Sequence, residues 1–203
     1  MNLIVLVADT DAEWVVRTLL EYRHRALGIP RLTFKVIRHP MRDNGVYHQA
    51  VTILRPYLQQ AEYALVLLDR EGSGQEHQSA EQIENILETA LQENGWRQPD
   101  GRSRAGVIVL DPELEIWVWS SSPHVPRILG VSSEQLEAIL SRRFPRQANG
   151  KPARPKEAML AVLKESQRPF SARIFQELAS RVSLRTKERA FTKFCRLLQQ
   201  WFT

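Results

Sequence analysis

The sequence predicts an α/β protein built on a mostly parallel sheet. Apolar runs at residues 3–8, 64–68 and 106–110 have the length and the continuous hydrophobicity of strands that are buried on both faces. Between these runs lie segments whose apolar residues recur at helical spacing. Strands that alternate with helices are typical of a parallel sheet, because each helix returns the chain to the edge where the next strand begins.

The first half of the chain contains the four predicted strands, and the first helix follows the first of them. The strands are predicted at residues 3–8, 31–37, 63–68 and 106–110. Asp9 and Thr10 are capping residues, and the apolar spacing behind them predicts a helix over residues 11–26. Gly28 and Pro30 end this helix.

Two further helices are predicted between the strands of this half. A turn at residues 43–45 (Asp-Asn-Gly) precedes a predicted helix over residues 46–60. Ser79 and Gln82 form a capping box, and apolar residues recur on one face of the helix behind it. A polar loop over residues 94–104 then leads into the last strand.

The pattern changes after residue 122, where only helices are predicted. Ser132 with Gln135 opens the first of them. The predicted helices cover residues 132–143, 156–165, 172–181 and 185–201. We therefore expect a Rossmann-like α/β core with a mostly parallel sheet over residues 1–122 and a basic helical appendage, or subdomain, over residues 123–203.

The charge is distributed unevenly between these two regions. Residues 1–122 contain 12 Lys and Arg against 17 Asp and Glu, whereas residues 123–203 contain 16 against 6. An acidic region joined to a strongly basic one indicates a polyanionic partner, and nucleic acid is the leading expectation. The alternative is a solvated basic surface that keeps the protein soluble.

Composition excludes several other classes of protein. The 203 residues are 43% hydrophobic and 25% charged, which is an ordinary globular composition. The longest apolar runs are far shorter than the roughly 20 residues of a membrane helix, and the apolar start lacks the basic residues of a secretory signal. The single cysteine, Cys195, excludes an internal disulfide framework and a cysteine-built zinc site. We expect a cytoplasmic protein that does not bind membranes.

Acidic residues follow three of the four predicted strands. The carboxyl ends of parallel strands meet at one edge of the sheet, so these carboxylates are expected to lie together. Like charges at one place repel unless a hard cation such as Mg²⁺ or Mn²⁺ lies between them, and the pattern predicts a site for one or two such ions. The residues are Asp9, Glu13, Asp69, Glu71, Glu113 and Glu115. Taken singly, each also has an ordinary explanation as a helix cap, a loop residue or a first-turn residue.

Several of these segments resemble motifs of TOPRIM-fold proteins. Residues 7–13 (Val-Ala-Asp-Thr-Asp-Ala-Glu) are similar to the first TOPRIM motif, and residues 67–72 (Leu-Leu-Asp-Arg-Glu-Gly) to its Asp-x-Asp motif. Residues 112–117 (Pro-Glu-Leu-Glu-Ile-Trp) resemble the Glu-Leu-Glu-x-Trp signature of small TOPRIM proteins related to the OLD nucleases. Residues 154–156 (Arg-Pro-Lys) resemble the Pro-Lys step in the helical tail of those proteins.

The resemblance implies a TOPRIM-like core over residues 1–122 and metal-dependent phosphodiester chemistry on DNA or RNA. Asp9, Asp69 and Glu71 would hold one Mg²⁺ or Mn²⁺, and Glu13, Glu113 or Glu115 would help with a second. Glu113, Glu115 and Lys156 are the candidate catalytic residues, Lys156 as the group that stabilises charge in the transition state. Asp9 stands where the family has Glu, Thr10 where it has Gly, and Glu71 where it has the second Asp.

The resemblance also implies a role in defence against phage. Small proteins of this kind occur beside ABC-type ATPases, and this sequence contains no Gly-x-x-x-x-Gly-Lys loop of its own. Any ATP hydrolysis is therefore expected from a partner protein. A homodimer is a further expectation, with Trp117, Trp119 and Trp201 as sources of apolar interface area.

Basic residues in the last third of the chain are the candidate nucleic-acid ligands. Five recur at spacings of four, four, four and three: Arg181, Arg185, Arg189, Lys193 and Arg196. The last four are predicted to share one face of the final helix. Arg142, Arg143 and Arg154 are expected to extend this patch. The pattern indicates recognition of the phosphate backbone and not of bases.

Two other functions remain open from the sequence. One is a TOPRIM-like scaffold that binds nucleic acid or an ATPase without cutting. The other is a receiver-like phosphoacceptor domain, in which Asp9, Asp11 and Asp69 would form the acidic site. Receiver-like domains have a lysine at the end of a fifth strand, and this sequence shows no such strand. A receiver-like domain also does not account for Glu71 together with Glu113 and Glu115.

Overall fold

The computed structural model describes residues 1–147 and 149–203, and it confirms an α/β fold. Four parallel strands form one sheet in the order β2-β1-β3-β4. They are β1 (Leu3–Val7), β2 (Phe34–Arg38), β3 (Tyr63–Asp69) and β4 (Ala105–Leu110). Helices flank the sheet on both faces, an arrangement consistent with a Rossmann-like fold.

The helices follow the strands in an alternating order and then continue without further strands. Those of the first half are α1 (Thr10–Tyr22), α2 (Arg42–Leu54), α3 (Ala80–Glu93) and the short α4 (Glu115–Val118). Those of the second half are α5 (His124–Leu129), α6 (Ser133–Arg143), α7 (Pro155–Glu165), α8 (Ala172–Arg181) and α9 (Arg189–Phe202). Among the described residues, no helix combines the length and the apolar character that crossing a membrane requires.

The sheet separates two hydrophobic clusters, because alternate side chains of each strand point to opposite faces. Leu3, Val5 and Val7 of β1 pack in the cluster that contains α1, whereas Ile4 and Leu6 pack in the cluster that contains α2 and α3. The helix after β1 and the helix after β3 therefore cover opposite faces. The chain leaves the neighbouring carboxyl ends of β1 and β3 toward opposite faces of the sheet. Open α/β sheets bind their ligands in the crevice that forms at such a point.

The second half of the chain is packed onto the sheet. Helix α8 lies mainly against α1, and α9 lies against β4. Gly106 permits this approach, since a Cβ there would lie 2.5 Å from Leu197 Cδ1 and 3.2 Å from Trp201 Cη2. Residues on both sides of position 122 share one hydrophobic cluster. The region predicted as an appendage thus forms a helical layer on one face of the sheet.

Two of the three tryptophans expected at a dimer interface are buried in the core. Trp117 and Trp119 are 6% and 3% exposed and belong to the hydrophobic cluster under α9. Trp201 is partly buried and stacks on Tyr63, with ring centroids 4.8 Å apart. These side chains stabilise the core and offer little area to a second copy.

The predicted limits of three helices are wrong. Helix α1 ends at Tyr22 and not at residue 26, and α2 covers Arg42–Leu54 and not residues 46–60. Helix α9 begins at Arg189 and not at residue 185, because the Glu188 carboxylate caps it by accepting hydrogen bonds from the Ala190 and Phe191 amides at 2.9 and 2.7 Å. Helices α4 and α5 were not predicted, since four and six residues are too few to show a helical period.

The outer edge of β4 is bonded to side chains in place of a further strand. The amides of Val107 and Val109 donate to Glu88 and Glu84 of α3, both at 2.9 Å. Arg189 of α9 donates to the Val109 carbonyl at 2.6 Å. Two helices on different faces of the sheet are therefore joined through the edge of one strand.

Candidate metal centre

Three carboxylates meet at the carboxyl edge of the sheet. Asp69 is the last residue of β3, and Glu113 and Glu115 lie just after β4, where the chain turns into α4. One carboxylate oxygen of each residue lies within 4.8 Å of those of the other two. Glu113 and Glu115 are 5% and 2% exposed, and Asp69 is partly buried. This buried acidic triad can hold a metal ion.

The local backbone explains why the triad forms. The Arg70 amide donates to the Leu110 carbonyl at 2.8 Å, and the Glu71 amide donates to the Pro112 carbonyl at 3.1 Å, so the loops after β3 and β4 stay paired beyond the sheet. The Ile116 amide then donates to the Glu113 carbonyl at 3.1 Å and begins the turn of α4. Glu113 and Glu115 are thereby held beside the end of β3.

The triad is electrostatically unfavourable as an assembly of bare carboxylates. Burial, followed by the charges of Asp43 and Glu115, raises the pKa of Asp69 well above its ordinary value. Burial and the charge of Glu113 raise the pKa of Glu115 to about 7, and burial raises the pKa of Glu113. The Asp69 carboxylate accepts no hydrogen bond from a described residue. A bound cation would relieve this repulsion, so the residues present fit a hard divalent metal.

Lys156, the predicted catalytic lysine, lies beside the triad. Its amide donates to Glu113 Oε1 at 2.9 Å, and its ammonium Nζ lies 3.6 Å from Glu113 Oε2. Burial alone would lower the pKa of Lys156, but Glu115, Glu113 and Asp69 together raise it above its ordinary value. The side chain is 47% exposed, so it can reach a ligand from solvent.

Three more aspartates surround the same edge. Asp9 caps α1, with its Oδ1 accepting from the Ala12 amide at 2.9 Å. Burial and the charge of Asp9 raise the pKa of Asp11 to about 6, and burial raises the pKa of Asp43 to about 6. Asp43 accepts from the Asp69 amide at 2.7 Å.

Asp43 is the residue of this site that the sequence interpretation missed. It was interpreted as part of a turn, and it lies in the first turn of α2. The available signal was its position, five residues after β2 and thus near the same edge as Asp9 and Asp69.

The structure does not bring Glu13 or Glu71 into the triad. Glu13 forms ion pairs with Arg17 and Arg38, each at 2.8 Å. The Glu71 side chain is exposed, although its charge contributes to the raised pKa of Glu113. The Asp9 carboxylate accepts a hydrogen bond from α1 as its cap, and its negative charge contributes to the raised pKa of Asp69.

Two of the predicted nucleic-acid ligands form ion pairs with carboxylates of α3. Arg189 pairs with Glu84 at 2.8 Å and with Glu81 at 3.1 Å. Lys193 pairs with Glu84 at 3.0 Å and with Glu88 at 2.8 Å. The acidic partners of both cations lie on α3 and not on their own helix.

The other predicted ligands are exposed but do not form one helical stripe. Arg185 precedes α9, so it cannot share a face of that helix. Arg154 lies two residues before Lys156 at the start of α7, with its guanidinium 4.0 Å from Glu157. The exposed members are Arg142, Arg143, Arg154, Arg181, Arg185 and Arg196.

The comparisons with known proteins add no relative. The chain matches no family model, no curated protein and no solved structure.

Proposed function

We propose that this protein is a nuclease that depends on Mg²⁺ or Mn²⁺ and cleaves phosphodiester bonds of DNA or RNA. The observation that carries the proposal is the meeting of Asp69, Glu113 and Glu115 within 4.8 Å at the carboxyl edge of the sheet. Buried carboxylates in such number are costly without a cation, and oxygen-only ligand sets select hard divalent metals.

The proposed roles follow from the contacts of each residue. Asp69, Glu113 and Glu115 would hold the metal, which would supply polarisation of the phosphate and a lowered pKa for an attacking water. Lys156, with its ammonium at 3.6 Å from Glu113 and half exposed, would stabilise negative charge that develops on the phosphate. Asp9, Asp11 and Asp43 add negative charge at the same edge and favour a second cation there.

The exposed arginines support a polyanionic substrate. Arg154 starts the helix that carries Lys156, so it is well placed to contact the phosphate backbone beside the triad. Arg189 and Lys193 pair with α3 and do not belong to this surface. Contacts to the phosphate backbone would therefore come from exposed arginines in loops and at helix ends. The resemblance to TOPRIM proteins favours an effector of anti-phage defence that works with an ABC-type ATPase.

The test is a cleavage assay with purified protein, Mg²⁺ or Mn²⁺, and separate duplex DNA, single-stranded DNA and RNA substrates. We expect cleavage that needs metal and that Asp69→Asn lowers by at least about a hundredfold, as removal of an electrostatic catalytic group does. Asp100→Asn is the matched control. Asp100 is an exposed aspartate in the loop before β4, at the opposite edge of the sheet.

Two outcomes would contradict the proposal. Equal activity of the wild-type protein and Asp69→Asn would place any cleavage outside this site. Absence of cleavage on all substrates, together with binding that Asp69→Asn leaves unchanged, would favour the scaffold function.

A receiver-like phosphoacceptor domain is the second candidate, and the strand order favours it. The order β2-β1-β3-β4 equals the first four strands of the flavodoxin-like arrangement that receivers share. Asp69 ends β3, where the phosphoacceptor would lie, and Asp9 and Asp11 follow β1. Incubation with acetyl phosphate and Mg²⁺, followed by intact-mass analysis, tests this candidate. A gain of one phosphoryl group that Asp69→Asn abolishes would support it.

A further inference from the structure

A cleft separate from the metal centre lies among the helices of the second half. It is lined by the end of α4, the serines that follow it, α6, and the loops that precede α7 and α9. Its volume is about 660 Å³, within the range of roughly 300–1,000 Å³ of small-molecule sites. None of its described lining residues belongs to the acidic triad.

The cleft is basic. Four of its described lining residues are cationic and two are acidic: Arg146, Lys151, Arg185 and Lys187 against Glu137 and Glu188. Both acids are already engaged. Glu137 accepts from Arg146, and Glu188 caps α9 through the amides of Ala190 and Phe191.

Two of the cations have no partner in the described part of the chain. The Lys151 ammonium donates to the Ile116 carbonyl, and Arg146 is paired as above. The side chains of Arg185 and Lys187 are exposed and form neither an ion pair nor a hydrogen bond with a described residue. They lie two positions apart in the loop before α9, and both line the cleft.

The remaining walls combine apolar and hydroxyl groups. Trp119, Pro126 and Leu136 contribute apolar surface, and three consecutive serines over residues 120–122 contribute hydroxyls. The indole N–H of the lining residue Trp117 is buried and has no partner among the described residues. Such a site suits a ligand that combines an anionic group, a polar middle and a planar apolar part.

We propose that this cleft binds a nucleotide, with its phosphates against Arg185 and Lys187 and its base against the apolar wall. The serine hydroxyls would then face the ribose. A free nucleotide fits better than a nucleic-acid strand, because the cations line one bounded cavity and do not follow a continuous groove. This site is independent of the function proposed for the triad.

Isothermal titration calorimetry tests the site, with ADP, GDP, CDP and UDP titrated separately into the full-length protein without metal. We expect at least one diphosphate to bind, and its nucleoside to bind at least tenfold more weakly. The double variant Arg185→Gln/Lys187→Gln should weaken binding at least tenfold. Both residues are exposed, so thermal unfolding should show that the variant keeps its fold.

The control is the double variant Arg25→Gln/Arg31→Gln, which removes the same charge from exposed positions outside the cleft. It should bind the diphosphate as the wild-type protein does. Equal weakening in both double variants would mean general attraction of anions and would overturn the site. Failure of all four diphosphates to bind would overturn it too, as would binding of a ten-nucleotide thymidine strand in their place.

Discussion

Asp69 and Glu115 are acids whose environment favours the protonated form. Burial comes first among the causes for both, and the neighbouring carboxylates come next. Unfolding would release these groups into water, where they ionise at their ordinary pKa. Carboxyl groups whose pKa is raised toward neutral pH by burial and by neighbouring charges are typical of functional sites.

This environment makes stability depend on pH in a defined direction. The pKa of Glu115 is raised from 4.5 to about 7, so the unfolded state loses this proton at lower pH than the folded state. The stabilisation is fully present below pH 4.5 and is lost as the pH rises through about 7. We expect the melting temperature of the metal-free protein to fall by several degrees between pH 5 and pH 8.

The variant Glu115→Gln separates the contribution of Glu115 to this pH dependence from the contributions of other titratable groups. Glutamine keeps the shape of the side chain and cannot ionise, so its melting temperature should fall less over the same interval. Millimolar Mg²⁺ or Mn²⁺ should raise the melting temperature of the wild-type protein at pH 8 and have little effect on the variant. Parallel pH profiles for the two proteins would contradict the prediction.

The sequence predicts most single residues of the candidate metal centre but not their partners. Asp69, Glu113 and Glu115 were identified from their positions after apolar strands. The contact of Asp43 with the Asp69 amide depends on where α2 begins, and that helix limit was wrong by four residues. The pairing of Glu13 with Arg38 depends on the neighbouring positions of β1 and β2, which the local pattern does not contain.

At the scale of elements, Glu84 joins α3, β4 and α9. It is 3% exposed, accepts from the Val109 amide, and pairs with Arg189 and Lys193. A buried charge of this kind is well compensated only while all its partners are present.

Removing this carboxylate should cost much stability. We expect Glu84→Ala to lower the free energy of unfolding by about 3–5 kcal/mol, since it leaves the Val109 amide without its acceptor and removes the buried partner that Arg189 and Lys193 share. Glu81→Ala is the control on the same helix, where an exposed pair with Arg189 should contribute less than about 1 kcal/mol. Urea unfolding of both variants measures the difference. Similar losses would show that Glu84 is not the residue that joins these elements.

The same residues explain why the structure of the final helix differs from the prediction made from its sequence. The period of four in its basic residues is visible in the sequence, and so is the apolar face with Phe194 and Leu198. Glu84 lies 105 positions before Arg189 in the chain. A contact at that separation has no local signature, so cations that are bound internally were assigned to a nucleic-acid surface.

At the scale of the whole molecule, the second half of the chain is needed to cover the sheet. Phe175, Leu178 and Phe194 lie in one cluster with Leu3 and Val5 of β1. The change from strands to helices after residue 122 is evident in the sequence. Whether those helices fold apart or pack on the sheet is decided by which apolar faces match, and the sequence pattern does not specify this.

A chain that ends after residue 122 should therefore not fold as a compact domain. It would leave a large apolar surface of α1 and of β4 in contact with water, which favours aggregation or a loosely packed state. We expect poor dispersion in a ¹H–¹⁵N correlation spectrum and elution as aggregates. A well-dispersed spectrum from a monomer would instead support an autonomous domain.

The bonded edge of β4 also has a consequence for how copies of this protein can assemble. With the amides of Val107 and Val109 already donating to side chains, a strand from another molecule finds no free ladder there. A sheet that continues through many copies needs two edge strands that are free to pair. In this molecule the edge strands are β2 and β4, and β4 is already bonded to side chains. Edge-to-edge pairing through β2 would close on itself as a symmetric pair, so the fold resists polymerisation into fibres.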